Sequence, residues 1–377
     1  MASMDSPTGP ALTARIVEAT GELAELRREW DALAVHAGRP FAAPAWALGW
    51  WETMRPDAAE LRLVVVLEGG GLAGIVPLYR LKRAYLPLGG GMGPVEPLAR
   101  PGLERRVAEA ARAALAQEQP RPATVEVEMH GSSPDWAALL GDAWAGGRGA
   151  RRWTKRDTPV PRIDLGEGFE PWLEAKSARF RREMRRRRRK LEDAGGTFRL
   201  ATADSLQRDV EAFLRLHRRR REGQGGTSLG DEGVERMLVA VGEELLDSGR
   251  FRLLSIDLDG ETIAARLLLA AGREVSAWNS GFDEAHSKLS PSTLSILEAL
   301  RDASERGERT MSLGPGGQEY KYRLSNWEDS LYTHVLILPG ATYPLARLRQ
   351  VPAQLRVGLS ARLSAETKRR LRGLIRR

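Results

Sequence analysis

One pattern occurs twice in this chain and limits what it can fold into. Arg62–Gly70 is an apolar run entering a glycine turn, Leu72–Tyr79 returns from it, and Ala84–Leu88 follows as a third run. Further on, Phe251–Leu258 enters a turn at Asp259-Gly260, Thr262–Leu269 returns, and Glu274–Ser280 is the third run. Asp-Gly between alternating apolar runs is a strong hairpin signal. Each block is about thirty residues long and the two are offset by about 190, which predicts two copies of one domain rather than a solenoid.

The flanks repeat as well. Helical segments Glu22–Val35 and Pro44–Met54 precede the first block; a helix (Leu103–Gln117), a strand (Ala123–Met129), a helix (Pro134–Trp144) and a strand near Arg151–Asp157 follow it. Helices Ser205–Arg221 and Asp231–Ser248 precede the second; a helix (Pro291–Arg306) and strands Thr310–Leu313 and Ser330–Leu338 follow. Each half reads β-α-α-β-β-β-α-β-(α)-β. Such mixed order predicts an α/β or α+β domain, a mixed central sheet flanked by helices. The expected division is a disordered leader at 1–10, domains at 11–165 and 166–340, and a basic helical tail at 341–377.

Composition excludes several chemistries. The chain has no cysteine, so disulfides, thiolate catalysis and cysteine-bound zinc are absent. Its five histidines are scattered without metal-ligand spacing, so no metal site is expected. No apolar run is long enough to span a bilayer, and the first ten residues lack signal-peptide order, which reads as cytoplasmic. Net charge is +8. The excess gathers at Lys176–Lys190, at Arg215 with Arg218–Arg221, and in the tail from Arg347, and such patches suit phosphate groups, nucleic acid or an anionic membrane surface.

Two glycine motifs are set aside. Gly69–Gly74 fits a dinucleotide fingerprint in letters, but a strand follows it where the pyrophosphate needs a helix. Gly226–Gly230 fits a nucleophile elbow, but a helix precedes it where a strand is required. In Arg179–Leu191, Phe180, Met184 and Leu191 fall on one apolar stripe, so this run is read as a docked helix with cationic outer faces. No motif for sequence-specific DNA reading is present.

Gly314–Leu324 is the first functional candidate: a strand-like run, a glycine turn, then a lysine between two tyrosines. Only seven of 58 cations are lysines, and lysine, unlike arginine, shifts its pKa readily on burial. That singles out Lys321. Ser290 and Pro291 mark a helix start, Ser290 as N-cap, whose free amides suit an anion.

Taken in order, Phe41–Trp46 with Trp50-Trp51, Ile75–Tyr79, the Arg-rich helix ending at Leu191-Glu192, Ile263–Ala265, Leu289–Pro291 and Gly314–Lys321 resemble the CelD-like branch of the GNAT acyltransferase superfamily, related to the Fem-type aminoacyl transferases. The resemblance runs from about Phe41 to Leu338. It implies two tandem GNAT-like domains and acyl transfer to an amine or hydroxyl of an acceptor such as a cell-envelope or polysaccharide precursor. Acyl-CoA is implied as co-substrate, with no permanently bound cofactor. Its acyl end maps to Ser280 and Gly281, and its pyrophosphate to Lys288, Ser290, Ser292 and Thr293. The sequence departs from the usual phosphate loop, since His286–Pro291 contains no glycine.

Under this reading the edge amides near Asn279–Gly281 polarise the carbonyl. Glu319, His286 and Asp283 are the candidate bases. Tyr320 or Tyr322 returns a proton to the thiolate, Lys321 orients an anionic acceptor or stabilises developing charge, and Arg182, Arg186 and Tyr322 contact substrate. Three alternatives stand beside it: an aminoacyl-tRNA donor, a non-catalytic polyanion-binding protein, and a peripheral partner held to anionic membrane by the tail.

Overall fold

The structure, a computed structural model, describes residues 11–142, 144, 150–222, 229, 232–340, 343–344 and 346–348. The expected leader and most of the expected basic tail lie outside them.

The first half opens with β1 (Leu12–Val17), α1 (Arg27–Ala37) and α2 (Pro44–Met54). The antiparallel meander follows as β2 (Glu60–Glu68), β3 (Gly71–Leu81) and β4 (Ala84–Pro87), with β5 (Leu98–Ala99) added against β3. The amphipathic α3 (Glu104–Gln117) carries the chain to β6 (Thr124–His130), which pairs in parallel with the start of β4. Then come α4 (Trp136–Gly141) and the long β7 (Arg151–Asp164).

The second half repeats this order. It contains α5 (Phe169–Glu174), α6 (Ala178–Asp193), β8 (Thr197–Leu200), α7 (Leu206–Glu222) and α8 (Glu232–Leu245). Its meander is β9 (Phe251–Leu258), β10 (Glu261–Ala271) and β11 (Glu274–Phe282). A parallel crossover through α9 (Pro291–Glu305) reaches β12 (Thr310–Ser312), followed by α10 (Glu319–Leu324) and β13 (Trp327–Ile337). The Asp259-Gly260 turn has positive φ at both residues, 52° and 79°, the backbone a type I′ hairpin requires.

Both halves share one mixed sheet in the order β1-β2-β3-β4-β6-β13-β7-β12-β11-β10-β9-β8. The last strand, β13, therefore lies between β6 and β7, which belong to the first half of the sequence. One face carries a core common to both halves, in which Trp30 and Trp46 pack with Phe213, Met237 and Leu267. On the other face, Val107 and Trp136 cover the first half while Trp172, Leu191 and Leu300 cover the second. α6 docks as its stripe predicts, with Met184 and Leu191 buried and Phe180 half-buried.

A charged group holds the seam. Arg162, only 2% exposed, pairs with Glu274 of β11, lies 3.5 Å from Asp329 of β13, and stacks on Trp327 at 4.9 Å. Removing one member of a buried pair leaves the others uncompensated, at about 3–5 kcal/mol. Arg162→Met is expected to lower the unfolding free energy obtained from urea titration by that much; an unchanged value would show that packing alone joins the halves.

Candidate active site

The second meander sets the site. Leu267 faces Asn279 and Leu268 faces Ala277, so Trp278 is an extra, unopposed residue in β11. A bulge of this kind re-aims a strand. On its other side β11 pairs with β12 only from Glu274 to Ser276, and beyond that the two parallel strands part. A cavity of about 560 Å³ occupies the opening. Ser276, Ala277, Trp278, Asn279 and Ser280 form one wall, Ser312 to Pro315 with Tyr320 and Lys321 another.

The first half adds Phe41, the loop at Gly91–Pro94, Glu128 and His130 of β6, and Arg156, Thr158 and Val160 of β7. Trp278 ties the two sides together. Its indole N–H donates to Met92 O, and its ring meets Trp46 edge-on at 5.1 Å.

Lys321 is 4% exposed and donates to Gly314 O and Pro315 O at 2.8 and 2.9 Å. Gly314 permits this wrap: its φ is +75°, and a Cβ there would lie 3.0 Å from Ala277 O. Burial, reinforced by the neighbouring Arg266 charge, pushes the ammonium down to about 8.

Arg266 of β10 stands opposite Ser280, 5% exposed. It donates to Ser295 Oγ at 3.1 Å and Ser292 O at 3.2 Å, both neutral. Burial lowers this guanidinium to about 10. Arg220 of α7 also lines the cavity, its guanidinium 5.1 Å from the Phe282 ring centre.

Acid–base groups occupy the opposite wall. Glu128 is 8% exposed; burial, with the nearby Glu126 charge, raises its carboxyl to about 7. His130 is held through Nδ1 by Glu96, which also accepts from Ser133 Oγ and lies 3.3 Å from Arg39. Burial alone would raise Glu96, but His130, Arg39 and these hydrogen bonds hold it at about 2. With Nδ1 engaged, Nε2 is the ring nitrogen left for a cavity ligand. His217 of α7 sets its Nδ1 3.2 Å from Ser280 O.

The sequence-derived candidates separate into groups. Lys321, Tyr320 and Ser280 meet at the cavity. Gly281 permits a close approach instead, since a Cβ there would lie 2.4 Å from His217 N. Glu319, His286, Asp283 and Tyr322 are not among the described residues lining the cavity. Glu319 is exposed and pairs with Arg323, Tyr322 donates to Glu328, and Asp283 accepts from Ala285 N–H. His286 and Lys288 sit in the short 3-10 turn before α9.

Ser290 does precede α9, but with a left-handed φ of 58° and no hydroxyl cap, which corrects its expected role as a side-chain N-cap. Pro291 lacks an N–H, and the amides of Thr293 and Leu294 both return to Ser290 O, so this helix start offers few free donors. Ser292 instead gives its carbonyl to Arg266. Arg182 and Arg186 line a separate groove on α6. Sequence reasoning passed over Glu128, His130, His217, Arg220 and Arg266. Alternation along β6 was a usable signal for the first two, since Glu126, Glu128 and His130 share the face opposite Val125, Val127 and Met129.

Residues 178–322 match the family model described as an acetyltransferase (GNAT) domain. The matched stretch runs from the start of α6 into α10 and includes Arg266, the β11 bulge and Lys321. FemX is similar in structure, with 12% identity and a TM-score of 0.58 over 89% of this chain and 99% of that one. So is the C-terminal domain described as that of a lysylphosphatidylglycerol synthetase from Agrobacterium fabrum, with 13% identity and 0.55 over 86% and 95%. At these identities the likeness concerns the fold. A search of curated proteins finds no match. Among the described residues no helix is long and apolar enough to cross a membrane, and no His, Asp or Glu group is placed to hold a metal ion.

Proposed function

We propose that the protein is an acyltransferase of CelD-like type that moves an acyl group from acyl-CoA to an amine in this cavity. The observation that carries the reading is the opening between β11 and β12, bounded by a strand bulge and a buried lysine. A thioester laid along the free edge of β11 meets backbone donors at its carbonyl oxygen, where charge develops. The amine nitrogen attacks the carbonyl carbon; the C–N bond forms and the C–S bond breaks. Glu128 takes the proton the amine loses, Lys321 stabilises the tetrahedral oxyanion, and Tyr320 protonates the departing thiolate.

The sparse amides of the α9 start leave the donor's phosphates to side chains. Lys288 is one candidate; Lys190 of α6 lies beside it, with Nζ 3.3 Å from Lys288 O. Lys288→Ala is expected to weaken acetyl-CoA binding about two- to fivefold, the scale of an exposed charge contact. Calorimetric titration checks it, and unchanged affinity would move the phosphates elsewhere.

A specific observation favours an aminoacyl-tRNA donor as the second reading: Arg182, Arg185, Arg186, Arg189 and Lys190 line a single groove on α6. That donor would bind with steep salt dependence. Thiol release from acetyl-CoA on adding a panel of primary amines tests the first reading. Amine-dependent release supports it. No release, with salt-sensitive binding of charged tRNA, would replace it by the second.

A further inference from the structure

The cavity is electrically two-sided. On the second-half side stand Arg266, Arg220 and Lys321, two of them about 95% buried. Among the described residues none of the three pairs with a carboxylate. Arg266 and Lys321 meet only hydroxyl and carbonyl oxygens, and Arg220 meets the face of Phe282. Buried cations are ordinarily compensated by an anion, because neutral partners do not repay the lost hydration. On the first-half side Glu128 is buried with no ion pair among the described residues, beside the Glu96-held His130, and the exposed Arg156 of β7 on the same side offsets its charge only in part. Each wall therefore lacks a close, buried partner of the charge that the opposite end of one small molecule would bring.

We propose that the acceptor is an amine that also bears an anionic group, a carboxylate or a phosphate, with the anion on Arg266 and Arg220 beside Lys321 and the amine at Glu128. This rests on the acyltransferase reading for its chemistry, but not for the anion site. The donor does not meet the same need. Its reacting end is a neutral thioester, and its phosphates lie a full pantetheine arm away, whereas Arg266 stands directly across the strand pair from Ser280 at the reacting end. Arg266 is also braced by α9 through Ser292 and Ser295, so its fork is fixed before a ligand arrives, which suits a planar carboxylate or a phosphate.

Two readouts test it. In thermal unfolding, succinate and inorganic phosphate are expected to raise the midpoint of the wild type and not of Arg266→Gln. Arg220→Gln, at a half-buried position, serves if Arg266→Gln does not fold. In turnover with acetyl-CoA, glycine and O-phosphoethanolamine are expected to outperform glycinamide and ethanolamine by about tenfold or more in KM, as for a hydrogen-bonded charge. Arg220→Gln should erase that preference, read as the ratio of the charged to the neutral amine's KM within the variant. No anion-dependent rise in the wild type overturns the inference, as does equal use of charged and neutral amines. Weaker acetyl-CoA binding in Arg220→Gln, with the amine preference intact, also overturns it and gives the cations to the donor. An anion-dependent rise without turnover of any amine supports the site and contradicts the acyltransferase reading.

Discussion

Lys321→Met is expected to fold normally and to lose roughly 10²–10³-fold in kcat, with a much smaller change in acetyl-CoA affinity. A fixed charge that acts on the developing oxyanion contributes in the transition state and little to the ground state. Loss of fold is not the expected cause. The lysine's pKa is lowered on folding to about 8, so below that pH the folded protein bears the cost of a buried charge, and the cost is relieved as pH rises from 8 toward the unfolded value. Methionine removes that charge, so the melting temperature at neutral pH should hold or rise, although Gly314 O and Pro315 O lose a donor. Full turnover in a folded Lys321→Met protein would remove the lysine from the mechanism.

Glu128→Gln is expected to cost about 10²–10⁴-fold in kcat/KM, the scale of a lost general base. The two variants also divide the pH profile. Glu128 must be ionised to accept a proton, so activity should rise with pH through about 7. Lys321 must be charged, so activity should fall as pH passes about 8. The wild type is therefore expected to show a narrow bell, whose limbs belong to the coupled site as a whole. Glu128→Gln should flatten the acid limb and Lys321→Met the alkaline one. An acid limb that survives in Glu128→Gln would give the base to another group, with the Glu96-held His130 the first to examine.

Much of the fold is legible in the sequence because the signals are local. The two hairpins, the run Pro44–Met54 with proline at its first position, and the stripe Phe180, Met184 and Leu191 each fix an element from its own residues. β8, of four residues, and α10, of six, give too short a period to register by themselves, whereas the equally short β4 and β12 are legible from the apolar runs and turns around them. The place of β13 between β6 and β7 depends on pairing across nearly two hundred residues, which no local pattern carries.

The site divides along the same line. Lys321 announced itself through glycine, aromatic neighbours and the scarcity of lysine. Arg266 is one arginine among many until β10 and α9 bury it without an acid. Glu128 and His130 come from the other half of the chain, and only tertiary packing brings them to the strand opening. Glu319 and Tyr322 lie close to Lys321 in sequence, yet the short helix turns them outward.

The most direct test of the central claim is calorimetric titration with acetyl-CoA of the wild type beside Ser280→Trp, which fills the cavity at the free edge of β11. The account predicts saturable one-site binding to the wild type and its loss in the variant, with melting unchanged. No binding to a folded wild type, or equal binding to both proteins, would contradict donor binding in the β11–β12 opening.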